Sequence, residues 1–292
     1  MNNEKKGTIY AILAFTFWGL VPIYFKLVSN VDPFEILIHR ILWSILFLSL
    51  LLFTGKSFES FILILKDSKK LKILFISALL VSVNWLTFIW AIANNKIVEA
   101  SLGYYINPLI SVFLGYIFFN ERMTKQQIIA IILAFLAIMY QVYSLGNLPI
   151  ISLILAFSFA FYGLVRKKIQ VESISGLLIE TLLISPFALI YLAYLIKTNQ
   201  NAFTIPLDST SWLLILAGLI TIIPLIWFNL ATAKISMMKL GFLQYIGPSL
   251  SFLLAVVVYN EPLNLNKLIT FIMIWVALVI FSVRFKKISV TQ

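Results

Sequence analysis

Apolar residues in this chain come in long unbroken runs rather than in the one-sided or alternating patterns of soluble elements. A bilayer core of ~30 Å needs ~20 apolar residues per helix. Ten segments meet that length: 7–28, 34–54, 71–94, 98–119, 124–143, 148–165, 174–196, 211–233, 237–259 and 265–285. Because the runs are continuous rather than alternating, they do not fit a β-barrel. The connections are short, so successive spans should be antiparallel neighbours. The first run is too long for a cleaved signal, and no small-residue cleavage site follows it, so it is expected to be retained. The pattern therefore predicts an all-α membrane protein with ten transmembrane helices.

Composition agrees, with 62% of residues apolar and 11% charged, against about 45–50% and about 25% in soluble domains. Net charge is +11. In a soluble chain that balance would suggest nucleic acid, but here basic residues flank spans and record orientation, so no nucleic-acid partner is expected. If the N-terminus is cytoplasmic, 17 of the 22 Lys+Arg fall in cytoplasmic segments. Four (Lys26, Lys96, Lys197, Lys267) fall outside, and Arg40 lies within a span. Both termini should then be cytoplasmic. There is no cysteine and one histidine, His39. That excludes disulfides, thiolate metal sites and multi-histidine sites, and no cofactor is expected.

The two halves, 1–145 and 146–292, resemble each other. Tyr105-Ile106-Asn107-Pro108 matches Tyr245-Ile246-Gly247-Pro248 at an offset of 140, and Asn120-Glu121 then matches Asn260-Glu261 without a gap. Ser111 and Gly115 match Ser251 and Ala255; Ala91 and Ala93 match Ala231 and Ala233. At an offset of 144, Phe15, Phe17, Gly19, Leu20 and Val21 match Phe159, Phe161, Gly163, Leu164 and Val165. Five spans per half, an odd number, make the second copy enter the membrane from the opposite side. Inverted repeats of this kind point to secondary transporters whose halves rock about a midplane site.

Intramembrane ionisable groups are costly and usually face the protein interior. The second span carries Glu35, His39 and Arg40, the fourth opens with Glu99, the seventh carries Glu180, and the ninth begins with Lys239. Two pairings compete. Arg40 and Glu180 correspond at an offset of 140, but about 10 Å of membrane normal separates them at ~1.5 Å per residue. Arg40 with Glu99 and Glu180 with Lys239 fit depth better. Either set gates the two sides or simply joins helices. Glu35 and His39, spaced i,i+4 on one face, are candidates for proton coupling, with a plain hydrogen bond to a neighbouring helix as the simpler alternative.

Pro108 and Pro248 should kink the fourth and ninth spans and free the carbonyls of Tyr104 and Gln244. Trp18, Asn84, Trp85, Tyr105, Asn107, Tyr162, Gln244 and Tyr245 are candidate substrate-binding residues near those kinks. Ser111-x-x-x-Gly115 and Ser251-x-x-x-Ala255 should let spans four and nine approach closely. Glu121 and Glu261, at helix C-terminal ends, are expected to cap a neighbouring helix.

Several stretches together resemble the EamA family of the drug/metabolite transporter superfamily. They are Phe17-Trp18-Gly19-Leu20 with Pro22-Ile23-Tyr24-Phe25-Lys26; Glu35 with His39-Arg40 and Trp43-Ser44; Asn84-Trp85 with Phe88-Ile89-Trp90-Ala91; and the run from Glu99 to Leu109. The second half adds Tyr162-Gly163-Leu164, Arg166-Lys167, Glu180 and Gln244-Tyr245-Ile246-Gly247-Pro248. The resemblance implies two inverted five-helix EamA halves and an inner (plasma) membrane permease. The reading that follows is a secondary transporter of small metabolites or drugs, working by alternating access as an exporter, in monomeric or homodimeric form. No P-loop is present to supply ATP energy. The alternatives are an intramembrane enzyme, for which no paired intramembrane aspartates, H-E-x-x-H or Gly-x-Ser-x-Gly elbow is present, and a channel or receptor.

Overall fold

A computed structural model describes residues 2–55, 57–94, 96–145, 149–259 and 265–282. Those residues are helical, without strands. In chain order the helices are α1 (Asn3–Leu27), α2 (Pro33–Thr54), α3 (Phe58–Leu65), α4 (Ser68–Ala93), α5 (Ile97–Phe119), α6 (Lys125–Leu145), α7 (Ile150–Ile169), α8 (Ser173–Lys197), α9 (Ser209–Thr232), α10 (Met237–Gln244), α11 (Ile246–Leu253) and α12 (Leu265–Ser282). Among the described residues nine stretches are long and apolar enough to cross a membrane, and α12 adds a shorter apolar helix. The expected tenth span runs on to 285, beyond the described residues.

Local chemistry sets the helix ends. Asp32 Oδ1 accepts from the N–H groups of Phe34 and Glu35 at the start of α2, with Pro33 in the first turn. Glu172, 140 residues later, accepts from Ile174 and Ser175 at the start of α8. These carboxylates satisfy orphan donors at the positive end of the helix dipole. At its far end α5 stops where Asn120 turns left-handed (φ 50°), and the Glu121 N–H reaches back to the Gly115 carbonyl. This Schellman turn aims the Glu121 side chain away from α5.

The helix contacts repeat when the halves are exchanged. Repeat mates touch each other: α2 packs on α8, α5 on α10, and α6 on α12. The remaining major contacts come in swapped pairs: α1–α9 with α7–α4, α5–α7 with α11–α1, and α2–α9 with α8–α4. That is the pattern of two inverted five-helix repeats. The principal core joins helices of both halves around Phe15, Tyr162 and Phe228. A second core ties α6 and α12 to α5 and α10. Bulky side chains such as Phe53, Phe113, Phe187 and Ile190 stand exposed on the outside, as a lipid-facing surface requires.

Spans four and nine do approach closely, through glycine. A Cβ on Gly241 would lie 2.8 Å from the Pro108 carbonyl and 3.0 Å from Ser111 Cβ; one on Gly115 would lie 3.1 Å from Met237 Cβ. Among the described residues the first small-residue motif serves this contact. Ser251 instead donates to the Gly19 carbonyl of α1, and the side chain of Ala255 lies outside the described residues, as do those of Ala93, Asn260 and Glu261.

Three features depart from expectation. A short helix, α3, fills the connection after α2 and buries Ile64 against Leu74 and Ile179. Arg166, read as a loop charge, is a buried residue of α7. The ninth span is broken at Tyr245, because Pro248 has no N–H to return to the Gln244 carbonyl. It then widens into one π-turn, Leu254–Val258. Pro108, by contrast, sits inside an unbroken α5.

Candidate functional site

Helices α2, α4, α7, α8 and α9 converge on a partly enclosed cavity of about 20 Å³, lined among others by Ser44, Trp85, Tyr162, Glu180, Thr181 and Thr221. That is room for a water molecule and far too little for an organic solute. Glu180, on its wall, is ion-paired to Arg166 at 3.3 Å, and both side chains are buried. Gly176, one turn before Glu180, makes this possible, since a Cβ there would collide with the Arg166 guanidinium. Asn229 Nδ2 donates to the Tyr162 hydroxyl at 3.3 Å, and Tyr162 stacks on Phe228.

Arg40 lies on α2, about 10 Å from its first residue at ~1.5 Å per residue. Its Nε donates to Thr221 Oγ1 at 2.9 Å. The guanidinium stands over the Trp85 ring at 4.9 Å and the Phe25 ring at 6.0 Å. The hydroxyls of Tyr24 and Tyr104 are within its electrostatic reach.

The expected charge pairs do not form, because Glu99, Glu180 and Lys239 each take another partner. Glu99, in the first turn of α5, pairs with Lys96 at 3.2 Å. Lys239, in the first turn of α10, pairs with Glu4 of α1 at 3.0 Å. Glu180 takes Arg166, and Arg40 is left with a hydroxyl and aromatic faces. Arg40–Glu180, Arg40–Glu99 and Glu180–Lys239 are all replaced.

Glu35 and His39 do come together, with His39 Nε2 3.8 Å from Glu35 Oε1. His39 Nδ1 accepts from Trp43 Nε1 at 3.1 Å, and its ring stacks on Phe203 at 5.1 Å. Glu35 Oε1 accepts from the N–H groups of Ala202 and Phe203. Together they strap the α8–α9 connection onto α2.

Of the eight candidate substrate-binding residues, Trp85 and Tyr162 line the cavity. Trp18 packs on Phe15, Phe159 and Phe228 beside it. Asn84 donates to the Leu155 carbonyl and to Ser158 Oγ of α7, and Asn107 to the Ala156 carbonyl. Gln244 Oε1 accepts from Ser111 across the α5–α10 contact. Tyr105 and Tyr245 belong to the second core, Tyr105 edge-on to Phe271. Glu121 spans the halves: Oε1 accepts from the Met237 N–H at 2.7 Å and Oε2 from the Met238 N–H at 2.8 Å. It thus caps α10 from the other repeat, as its placement at a helix end suggests. Sequence reasoning missed Thr221, Ser44 and Thr181 as wall residues and Arg166 as the partner of Glu180. The one available signal was Gly176, a small residue one turn from a buried acid.

A multi-span bundle of two inverted helical halves around a shared pocket is the architecture of a membrane transporter. The chain belongs to the EamA-like transporter family, whose pattern matches residues 5–143. It is 47% identical over 281 residues to an uncharacterized transporter of Vibrio cholerae, covering 96% of this chain and 93% of that one. It is 45% identical over 279 residues to the protein RarD of Escherichia coli, covering 96% and 94%. One solved structure superposes with a TM-score of 0.71 at 16% identity, covering 94% of this chain and 97% of that one, which is a likeness of fold.

Proposed function

We propose that this protein is a secondary transporter of small organic solutes in the plasma membrane, with both termini cytoplasmic and export as its working direction. Its halves, 1–145 and 146–292, rock about the cavity between α2, α4, α7, α8 and α9, so that the pocket opens to one side at a time. The observation that carries this reading is the shared wall: Ser44 and Trp85 come from the first half, and Tyr162, Glu180 and Thr221 from the second. A pocket built from both repeats changes access when the repeats move. Trp85 and Tyr162 are assigned to solute contact, with Trp18 behind them. Asn84, Asn107, Gln244, Tyr105 and Tyr245 hold the surrounding helices. Glu35 and His39 act on the α8–α9 connection.

The native chain has no cysteine, which makes a direct test clean. Ser44→Cys and Thr221→Cys, reconstituted separately in vesicles, are labelled with an impermeant thiol reagent from each side. The expected result is reactivity from either face in turn, modulated by solute, with saturable counterflow. Simultaneous access from both faces without counterflow would identify a channel.

A further inference from the structure

We propose that Arg40 is the anchor for an oxyanion, a carboxylate or phosphate, on the transported solute, and that Trp85 stacks on an aromatic or planar group beside it. The inference rests on the transporter reading above and names the substrate class of that site.

Among the described residues Arg40 is a cation without a counter-ion. A guanidinium carries five N–H donors, and among the described residues only Nε is used, on Thr221. Its neighbours come from three other helices, Phe25 of α1, Trp85 of α4 and Thr221 of α9. It therefore faces the interior of the bundle, and both halves contribute. The acidic groups described within spans are engaged elsewhere: Glu35 with loop amides, Glu99 with Lys96, Glu180 with Arg166. An unpaired charge at this depth is unfavourable, and cation–π contacts offset only part of that cost.

The repeat shows what is missing. Arg40 and Glu180 are equivalent positions, and in the second half the charge at that position is neutralised by Arg166. Shifting Arg166 back by the two repeat offsets lands on Pro22 or Lys26. Neither can supply a negative charge. The first half keeps the charged position and lacks its partner, so the partner must arrive from outside. A planar guanidinium with free parallel donors matches the two oxygens of a carboxylate or phosphate. The ring of Trp85, already against the guanidinium, continues the same recognition surface.

The test uses the purified full-length protein in detergent, with thermal stabilisation by benzoate, phenyl phosphate and the neutral analogue benzamide as readout. Saturable stabilisation by benzoate, phenyl phosphate or both is expected, and none by benzamide; which acid binds tells carboxylate from phosphate. Arg40→Gln should weaken that binding about ten- to hundredfold, the worth of a hydrogen bond to a charged group. Arg40→Lys should fall between, keeping the charge and losing the fork. Without ligand, Arg40→Gln should melt no lower than the native protein, because no native ion pair is broken. Equal binding of benzamide, unchanged affinity in Arg40→Gln, no stabilisation by either acid, or a large loss of unliganded stability would each overturn the proposal. Counterflow of a neutral solute that survives Arg40→Gln would discard the oxyanion and keep the carrier. Binding of benzoate that needs Arg40 in a protein without counterflow would keep the site and discard the carrier.

Discussion

Arg166 and Glu180 are held 3.3 Å apart on adjacent helices of the same half, with both side chains buried. The pair sits against the cavity, and each member is the other's only opposite charge among the described ion pairs. Removing one member leaves a buried uncompensated charge, a loss of about 3–5 kcal/mol. Arg166→Gln and Glu180→Ala should therefore each lower the melting temperature sharply in detergent. The apolar double replacement Arg166→Met with Glu180→Leu should recover much of the loss. Gly176→Ala should mimic the single variants, since its methyl group occupies the guanidinium's place.

Glu121 joins the repeats by capping α10 with both carboxylate oxygens. Glu121→Ala frees two N–H groups at a helix start and should cost about 1–2 kcal/mol, the usual worth of a cap. Glu121→Gln retains one acceptor and should cost less. Thermal unfolding of the three proteins side by side gives the order, and an equal loss for both variants would deny the capping role.

Asn84 and Trp85 are neighbours in sequence with different tasks. Asn84 spends its amide on α7, so Asn84→Ala should lower stability by about 1–3 kcal/mol, the net worth of its two buried hydrogen bonds, and leave the KM for solute unchanged. Trp85→Ala should do the reverse, raising KM with a smaller change in melting. Transport kinetics in vesicles, read together with melting curves, separate the two.

Asp208, outside the spans, caps α9. The Ser211 hydroxyl, and then the Ser211 N–H, hold its carboxyl below the usual carboxylate range. A lowered pKa in the folded state contributes stability that is complete above the ordinary carboxylate pKa and fades as pH falls through the lowered value. Asp208→Asn should keep the cap geometry and flatten that part of the acid-side decline. Melting temperature followed from neutral to acid pH shows it.

The spans were legible because lipid demands unbroken apolar runs, and the match of Tyr105-Ile106-x-Pro108 to Tyr245-Ile246-x-Pro248 disclosed the repeat. The role of Glu121 was legible too, since a carboxylate at a helix C-terminus is misplaced unless another helix begins beside it. Which charges meet was not. Depth along the membrane normal says nothing of the helix face a side chain takes, and Lys96 and Glu4 lay nearer to Glu99 and Lys239 than any cross-bundle partner. Tyr105 and Tyr245 adjoin the prolines in sequence, but their helix face turns toward α6 and α12. Helix α3 escaped notice because eight residues are too few to register as a span.

The two halves match in sequence but not in stiffness. The fourth span runs through Pro108 as one rod, whereas its mate is jointed at Tyr245 and loosened again by the π-turn at Leu254–Val258. Bending a joint takes less work than tilting a rod that must carry its neighbours with it. In the rocking motion proposed above, the swing toward one face of the membrane and the swing toward the other would then cost unequal work, with the joint in the ninth span as the source of the difference.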